Sequence, residues 1–410
     1  MDIPALQASW RDVEKVGDEA VLYFYSHLFM AHPDVRAMFP VSMADQRGKF
    51  FAALGRIVSS VDKIAADPSF VQQLGRDHRK FEVIADHYPA AGASLLATLQ
   101  YFLGAAWTDS LASDWADAYG VVAKLMVVAA EDDEANAPAW WEAEVIGTDR
   151  RSIDVAVLRI RPTEPYPYVA GQSMAVEIPQ RPKLWRYYTP ANAPRADGTI
   201  DLNVQIVAGG QVSAALAREI RPGDSLRLGA PIGTALTVSE DLPRDLLMIA
   251  GGTGLAPMSA VIEQLDADWR ETGRTTNVHL FHGVRTQWNL YEHHFLSEMA
   301  DTRPWFRYTP VVSEDPTYPG AKGVVGAVAA QSNHWDGFTA LVCGSTPMVE
   351  HATAELTAAG MARTDIRFEQ FDTVAEPEPA AADAVAMTSP DTAPAGTGSA
   401  FPRPEVTTWR

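Results

Sequence analysis

Hydrophobic positions along the chain fall into three successive patterns. Over residues 1–135 apolar side chains recur at spacings of three and four with little alternation, which predicts a domain built of helices. From 142 to 240 the runs DVAVLRI (154–160) and IDLNVQIV (200–207) alternate with period two between Pro/Gly/Asp clusters. That pattern predicts antiparallel strands closed into a small β-barrel. From 241 to 374 short apolar runs alternate with helical segments: LLMIA (246–250), VHLFHGV (278–284), YTPVV (308–312), ALVCG (340–344) and IRFEQF (366–371). This is the βαβ rhythm of a parallel sheet with covering helices. Residues 136–141 end an acidic stretch, Glu131 to Trp141, that breaks at Pro138 and reads as a linker. Residues 375–410, rich in Pro, Ala, Gly, Ser and Thr without periodicity, read as a disordered tail. The expected fold class is multidomain: all-α, then antiparallel β-barrel, then α/β with a parallel sheet.

Charge and cysteine usage narrow the function classes. The 410 residues carry 52 acidic against 33 basic side chains, a formal charge of −19. Such a chain repels nucleic acid and anionic lipid surfaces, although helix ends and loops still bind anionic cofactors locally. The single cysteine, Cys343, allows neither an internal disulfide nor a cysteine cluster for zinc or iron–sulfur. No run approaches the ~18 apolar residues of a membrane span, and MDIPALQASWRDVEKV lacks a signal-like apolar core. The expectation is a soluble cytoplasmic protein that engages neither membrane nor nucleic acid.

Candidate chemistry in the C-terminal half starts at AGGTGLAPM, Ala250 to Met258. It follows an apolar run and opens a helical pattern, with Pro257 at a tolerated early helix position. Gly251, Gly252 and Gly254 allow close backbone approach, and the helix start offers free N–H groups to a pyrophosphate. Alone, such a loop is as often a mere turn. CGSTPM, Cys343 to Met348, closes a later apolar run; strand ends in open α/β sheets are where ligands bind, so Cys343–Gly344 and Gly251–Gly254 are expected on one edge. Taken singly, Cys343 reads as a small buried hydrophobe. The β zone adds RYYT, Arg186 to Thr189, and GGQVS, Gly209 to Ser213.

These four motifs occur in the order found in the ferredoxin-reductase family, which the segment from about 142 to 372 resembles. The resemblance implies that Arg186, Tyr188 and Thr189 contact FAD and that Gly210, Gln211, Val212 and Ser213 flank its pyrophosphate. Gly251, Gly252, Thr253, Gly254, Cys343 and Gly344 would border NAD(P)H, with Glu369 and Phe371 beside the flavin ring. Two positions depart from the family pattern: Ser173 follows Gly171–Gln172 where Tyr is frequent, and Asp372 follows Phe371 where Gly-Pro is common.

In the N-terminal half Val71, Leu74, His78 and Phe81 share one helical face, so His78 points toward the core. On spacing alone a hydrogen-bonded core histidine is the commoner reading. Two more polar residues interrupt apolar stripes: Tyr25 among Val21, Leu28 and Phe29, and Gln46 before Phe50, Ala53, Leu54 and Ile57. Three inward polar groups on three helices suggest one shared polar ligand, and haem uses an imidazole on iron with hydrogen-bond donors across from it.

The run FYSHLFMAHPDVRAMFP, the Gln that follows, HRKF, YPAAGASLLATL and WADAYGVVAKLM resemble the bacterial flavohaemoglobins, globins fused to such a reductase. By that resemblance His78 is the proximal ligand of haem b and Tyr25 and Gln46 face bound oxygen. Phe39 packs on the porphyrin, and Tyr88 orients His78. The family's proximal-side glutamate falls by counting on Ala130, which makes Glu131 its candidate. The family's Lys before the proximal His is Asp77, which implies loss of a propionate contact. His87, beside Tyr88 at the start of a helical pattern, is the rival ligand and reads as surface. The resemblance implies a nitric oxide dioxygenase: NAD(P)H reduces FAD, FAD reduces the haem iron, and oxygen bound there converts nitric oxide to nitrate. It also implies a monomer whose partners are small molecules: oxygen, nitric oxide and NAD(P)H. The departures leave two alternatives, a divergent flavohaem oxidoreductase with another donor or acceptor and a haem-based gas or redox sensor. Arg285 after the second strand of the last domain is compatible with NADH or NADPH.

Overall fold

The computed structural model describes residues 1–239 and 244–371, so the expected tail at 375–410 lies outside the described residues. The N-terminal region is all-helical: α1 (Ile3–Glu14), α2 (Asp18–Ala31), α3 (Ala44–Ser59), α4 (Ser69–Arg79), α5 (Tyr88–Leu103) and α6 (Asp109–Glu134). Local signals set several helix ends. The Asp2 carboxylate accepts the Ala5 N–H at 3.0 Å to cap α1, and the Thr108 hydroxyl accepts that of Leu111 at 3.2 Å to cap α6. Leu6, Trp10, Phe24, Leu28, Leu99 and Trp115 bury the shared core. Helix α4 lies close against α6 because residue 75 is glycine: a Cβ there would collide with the backbone of Met126. Glu131–Glu134, read from the sequence as part of an acidic break, instead completes the last turn of α6.

The second region holds β1 (Trp141–Arg150), β2 (Val155–Pro162), β3 (Met174–Glu177), β4 (Arg186–Tyr188), β5 (Ile200–Gln205), α7 (Gln211–Arg218) and β6 (Ser225–Leu228). Among the described residues the strands run antiparallel in the order β4-β3-β6-β1-β2-β5. A bridge from Pro190 to Leu202 returns the β4 end toward β5 and nearly closes the barrel. Alternate residues Leu158, Ile160, Leu202 and Val204 fill its interior, with Val212 and Leu216 of α7 packed on them. β1 already begins at Trp141, inside the expected linker, and β5 ends at Gln205, two residues short of the alternating run.

The third region contains β7 (Leu246–Gly251), α8 (Leu255–Thr272), β8 (Val278–Val284), α9 (His293–Thr302), β9 (Phe306–Val312), β10 (Ala321–Lys322), α10 (Val325–Ser332), β11 (Thr339–Ser345), α11 (Thr346–Ala358) and β12 (Ile366–Phe371). The sheet is parallel with order β10-β9-β8-β7-β11-β12. Continuous apolar runs such as Leu246–Ala250 are buried on both faces, as expected where helices cover both sides. Strand order reverses between β7 and β11. That switch point opens a crevice at the carboxyl ends of the strands.

Candidate functional site

Inside the helical region a cavity of about 450 Å³ is walled by α2, α3, α4, α5 and α6. Its lining is largely apolar, with Leu28, Phe39, Phe50, Ala53, Ile57, Leu95 and Val122 among the wall residues. All three inward polar groups read from the sequence line it: Tyr25, Gln46 and His78. Tyr25 is 5% exposed, and its hydroxyl accepts a hydrogen bond from the Gln46 amide at 3.4 Å. Burial pushes the Tyr25 phenol up to about 12, so it stays a neutral donor across the physiological range. Phe39 stands 5.4 Å from the Tyr25 ring, edge to face.

His78 is oriented by its own helix. Its Nδ1–H donates to the Leu74 carbonyl at 2.7 Å, one turn back, and Nε2 makes no hydrogen bond among the described residues. Burial depresses the imidazole's basicity, which favours the neutral ring that a metal needs. The structure corrects the expected role of Tyr88 here. No hydrogen bond joins Tyr88 to His78; Tyr88 packs against the cluster of Ile64, Val71, Val122 and Met126, and its backbone carbonyl accepts from Tyr119 Oη at 2.6 Å. The Leu74 carbonyl does the orienting instead. Glu131 is also corrected: it is exposed on α6 and is not part of the cavity wall. The acid that approaches the proximal helix is Asp133, paired with Arg79. His87, read as surface, is half-buried and lines the cavity, with its Nδ1 accepting the Ile84 N–H at 3.1 Å.

One end of this cavity is closed by the barrel, through Lys183, Leu184, Trp185, Arg186 and Tyr187 on and before β4. Sequence reading passed over Lys80 and Trp185. Lys80 donates to Asp77 Oδ1 and to Tyr187 Oη, both at 3.2 Å. Trp185 is buried and its Nε1–H has no acceptor. A buried donor left unpaired costs about 1–3 kcal/mol, so such a group marks a place where a ligand belongs. A tryptophan directly before the Arg-x-Tyr-Thr strand, beside a Lys two residues past a core histidine, was the available signal.

The expected flavin residues lie in two places, on and just after β4 and at the start of α7. Thr189 is buried with its hydroxyl unpartnered, and burial pushes the Tyr188 phenol up. Gly210 caps α7 from an extended backbone, and no side chain caps the start of that helix, where backbone N–H groups point outward. Gly210 has to be glycine: a Cβ would stand 2.7 Å from Ser213 Oγ. That hydroxyl accepts the Val207 N–H at 3.2 Å, and the Val212 side chain lies in the barrel core, which leaves its backbone to face a ligand.

The two glycine motifs of the third region meet at the switch point. Cys343 pairs in register with Ala250 on one side and with Glu369 on the other. A Cβ on Gly344 would reach the Gly251 Cα at 3.3 Å, and one on Gly254 would collide with the Cys343 carbonyl. Gly252 takes a left-handed φ of +53° in the single 3-10 turn that leads into α8, with Thr253 at its centre. His282 on β8, unremarked in the sequence beyond its strand, is fully buried and its Nε2–H donates to the Gly252 carbonyl at 3.2 Å. Cys343 is 0% exposed and burial pushes its thiol up, so it is an inert wall group and no nucleophile. Glu369 lies against Gly233 of the barrel, and burial raises its carboxyl to about 7. Phe371 packs at the margin of the same core. Arg195 ties barrel to sheet domain, bonding Asp201 at 2.8 Å and Glu263 of α8 at 2.9 Å.

The donor sets fit the expected groups. A largely apolar cavity with His78 Nε2 free of hydrogen bonds suits a haem, while the unpartnered Thr189 hydroxyl and the start of α7 behind Gly210 suit a flavin pyrophosphate.

Comparison with known proteins agrees with this layout. Residues 22–126 match the globin family, 142–236 the oxidoreductase FAD-binding domain and 248–354 the oxidoreductase NAD-binding domain. The chain thus carries a globin domain followed by FAD- and NAD-binding oxidoreductase domains. Along nearly its whole length it is similar to a flavohemoprotein from Rhizobium meliloti (strain 1021): 28% identical, covering 87% of this chain and 93% of that protein. A flavohemoglobin structure from Malassezia yamatoensis shares the fold at a TM-score of 0.73 and 19% identity, over 90% of this chain and 98% of that one. The reductase component of phenol 2-monooxygenase from Pseudomonas sp. (strain CF600) is 32% identical over 53% of the chain, which spans 62% of that protein. Among the described residues no helix is long and apolar enough to cross a membrane.

Proposed function

We propose that the protein is a nitric oxide dioxygenase of flavohaemoglobin type, a monomer acting in the cytoplasm on oxygen, nitric oxide and NAD(P)H. The observation that carries this reading is the Tyr25–Gln46 pair in the same cavity as His78, whose Nε2 is free of hydrogen bonds. FAD and haem, when bound, supply the hydride acceptance, single-electron transfer and oxygen chemistry that turn nitric oxide into nitrate.

The chain's own residues do the rest. The Leu74 carbonyl holds the His78 ring with Nε2 toward the cavity, presenting a neutral imidazole to iron. Tyr25, held as a phenol by burial, donates to oxygen bound within the cavity, and Gln46 fixes its position. The apolar remainder admits small neutral gases and excludes bulk water. On the reductase side Arg186, Tyr188 and Thr189 hold the flavin, the α7 start with Gly210, Gln211, Val212 and Ser213 meets its pyrophosphate, and Glu369 and Phe371 flank its ring. Gly251–Gly254, with Cys343 and Gly344, forms the floor on which the nicotinamide lies, and His282 keeps Gly252 in its turn.

Stopped-flow loss of nitric oxide under air, with NADH or NADPH, tests the reading. The expected result is turnover far above a free-FAD control. Loss no faster than that control overturns it. Asp77, Ser173 and the likeness to a monooxygenase reductase component favour a second reading, delivery of electrons to another acceptor. Under that reading reduced protein would pass electrons to added acceptors while nitric oxide persists.

A further inference from the structure

We propose that Lys80 and Trp185 form a carboxylate clamp at the seam between globin and barrel, and that it holds a haem propionate; this rests on the haem reading above. Lys80 is 8% exposed and Trp185 5%, yet both line the cavity. The Lys80 ammonium lies 5.7 Å from the Phe81 ring, 5.9 Å from Trp185 and 5.3 Å from Tyr187, so three aromatic rings fix where its charge sits. The same Trp185 ring carries an unpartnered, buried Nε1–H.

Charge points the same way. The charged residues of the cavity wall are Lys49, Lys80, Lys183 and Arg186 against Asp77 alone, in a chain of net charge −19. A cavity with Lys80, Lys183 and Arg186 at its barrel end and mostly apolar walls elsewhere fits a flat apolar ring whose only anionic substituents are carboxylates. The family's lysine directly before the proximal histidine is absent, and Lys80, two residues after it, presents a cation from the other side of Asp77. Asp77 shares that ammonium at 3.2 Å and so weakens its hold on a ligand carboxylate.

The clamp is also built across two regions. Glu82 and Lys183 pair at 2.7 Å, and they are the non-glycine residues with left-handed φ, +63° each, among the described residues. Such backbone costs energy and persists where surrounding contacts hold it. With the Lys80–Tyr187 bond, this pair pins residues 183–187 onto the globin. The inference follows that haem retention depends on the strand expected to hold FAD.

The test uses full-length, FAD-containing protein loaded with haem or with haem dimethyl ester, whose carboxylates are masked. Transfer to excess apomyoglobin is followed in the Soret band. Wild type is expected to release the ester about 10- to 100-fold faster than haem, the loss of a charge-assisted bond. Lys80→Met is expected to release haem faster by a similar factor and to leave ester release unchanged, with Lys80→Arg restoring retention. Trp185→Phe is expected to act in the same direction, and Asp77→Asn to slow haem release. Equal release of haem and ester from wild type overturns the clamp without needing any variant to fold. A Lys80→Met effect of the same size on both porphyrins does so too. No Soret band with either porphyrin overturns the haem reading, and the clamp with it.

Discussion

The haem cavity and the dinucleotide crevice are built from different parts of the chain. Side chains make the cavity: Tyr25, Gln46 and His78 come from three helices, and the wall draws on every helix from α2 to α6 plus a piece of the barrel. Backbone makes the crevice: Gly251, Gly254 and Gly344 let two strand ends and a helix start approach within contact distance. A side-chain site tolerates drift in sequence so long as volume and a few polar atoms persist. A backbone site tolerates almost none at its glycines.

Mutations can break this contrast in order of effect. His78→Ala is expected to abolish the haem Soret band while flavin absorbance stays; an unchanged haem spectrum would remove His78 as the ligand. Gly254→Ala forces a Cβ into the Cys343 carbonyl, an overpacking of ~1–3 kcal/mol. It should slow flavin reduction by NADH or NADPH about 5- to 150-fold at that energy, with haem retained. Equal loss of both cofactors would mean that the two sites are not separable. Tyr25→Phe deletes one donor in the cavity, and oxygen should leave about tenfold faster, the worth of roughly 1–1.5 kcal/mol. Flash photolysis reads this, and no change would take Tyr25 out of the ligand's reach.

The smallest effect concerns pH. Burial raises the Glu369 carboxyl to about 7, against 4.5 for an exposed glutamate. The folded chain favours the neutral form, so the side chain's contribution is full below pH 4.5 and is lost as pH rises to about 7. Glu369→Gln, which stays neutral, should match wild-type Tm at acidic pH and exceed it above pH 7. Equal pH profiles would mean that Glu369 is solvated.

Much of the crevice was legible in the sequence because its function needs particular residues at fixed local spacing. Glycines, a strand before and a helix after announce themselves within ten residues, and β8 and β12 follow the predicted runs residue for residue. His78, Tyr25 and Gln46 were legible as polar interruptions of helical faces, since burial makes such positions costly. Orientation was less legible. Glu131 was placed by counting along a helix, and one residue turns a side chain by about 100°. Whether Tyr88 or the Leu74 carbonyl holds His78 depends on ring angles that no spacing encodes.

The sequence by itself determined three regions, their order, the inward polar groups of the helical cavity and the glycines that meet at the strand ends, because hydrophobic period and glycine placement act over short stretches of chain. Only the tertiary structure decided how the regions share a site. Lys80 and Tyr187 lie 107 positions apart and yet hydrogen-bond, and Trp185 of the barrel closes a cavity made by helices. Contacts of that range follow from the packing of whole surfaces, and local sequence pattern carries no record of them.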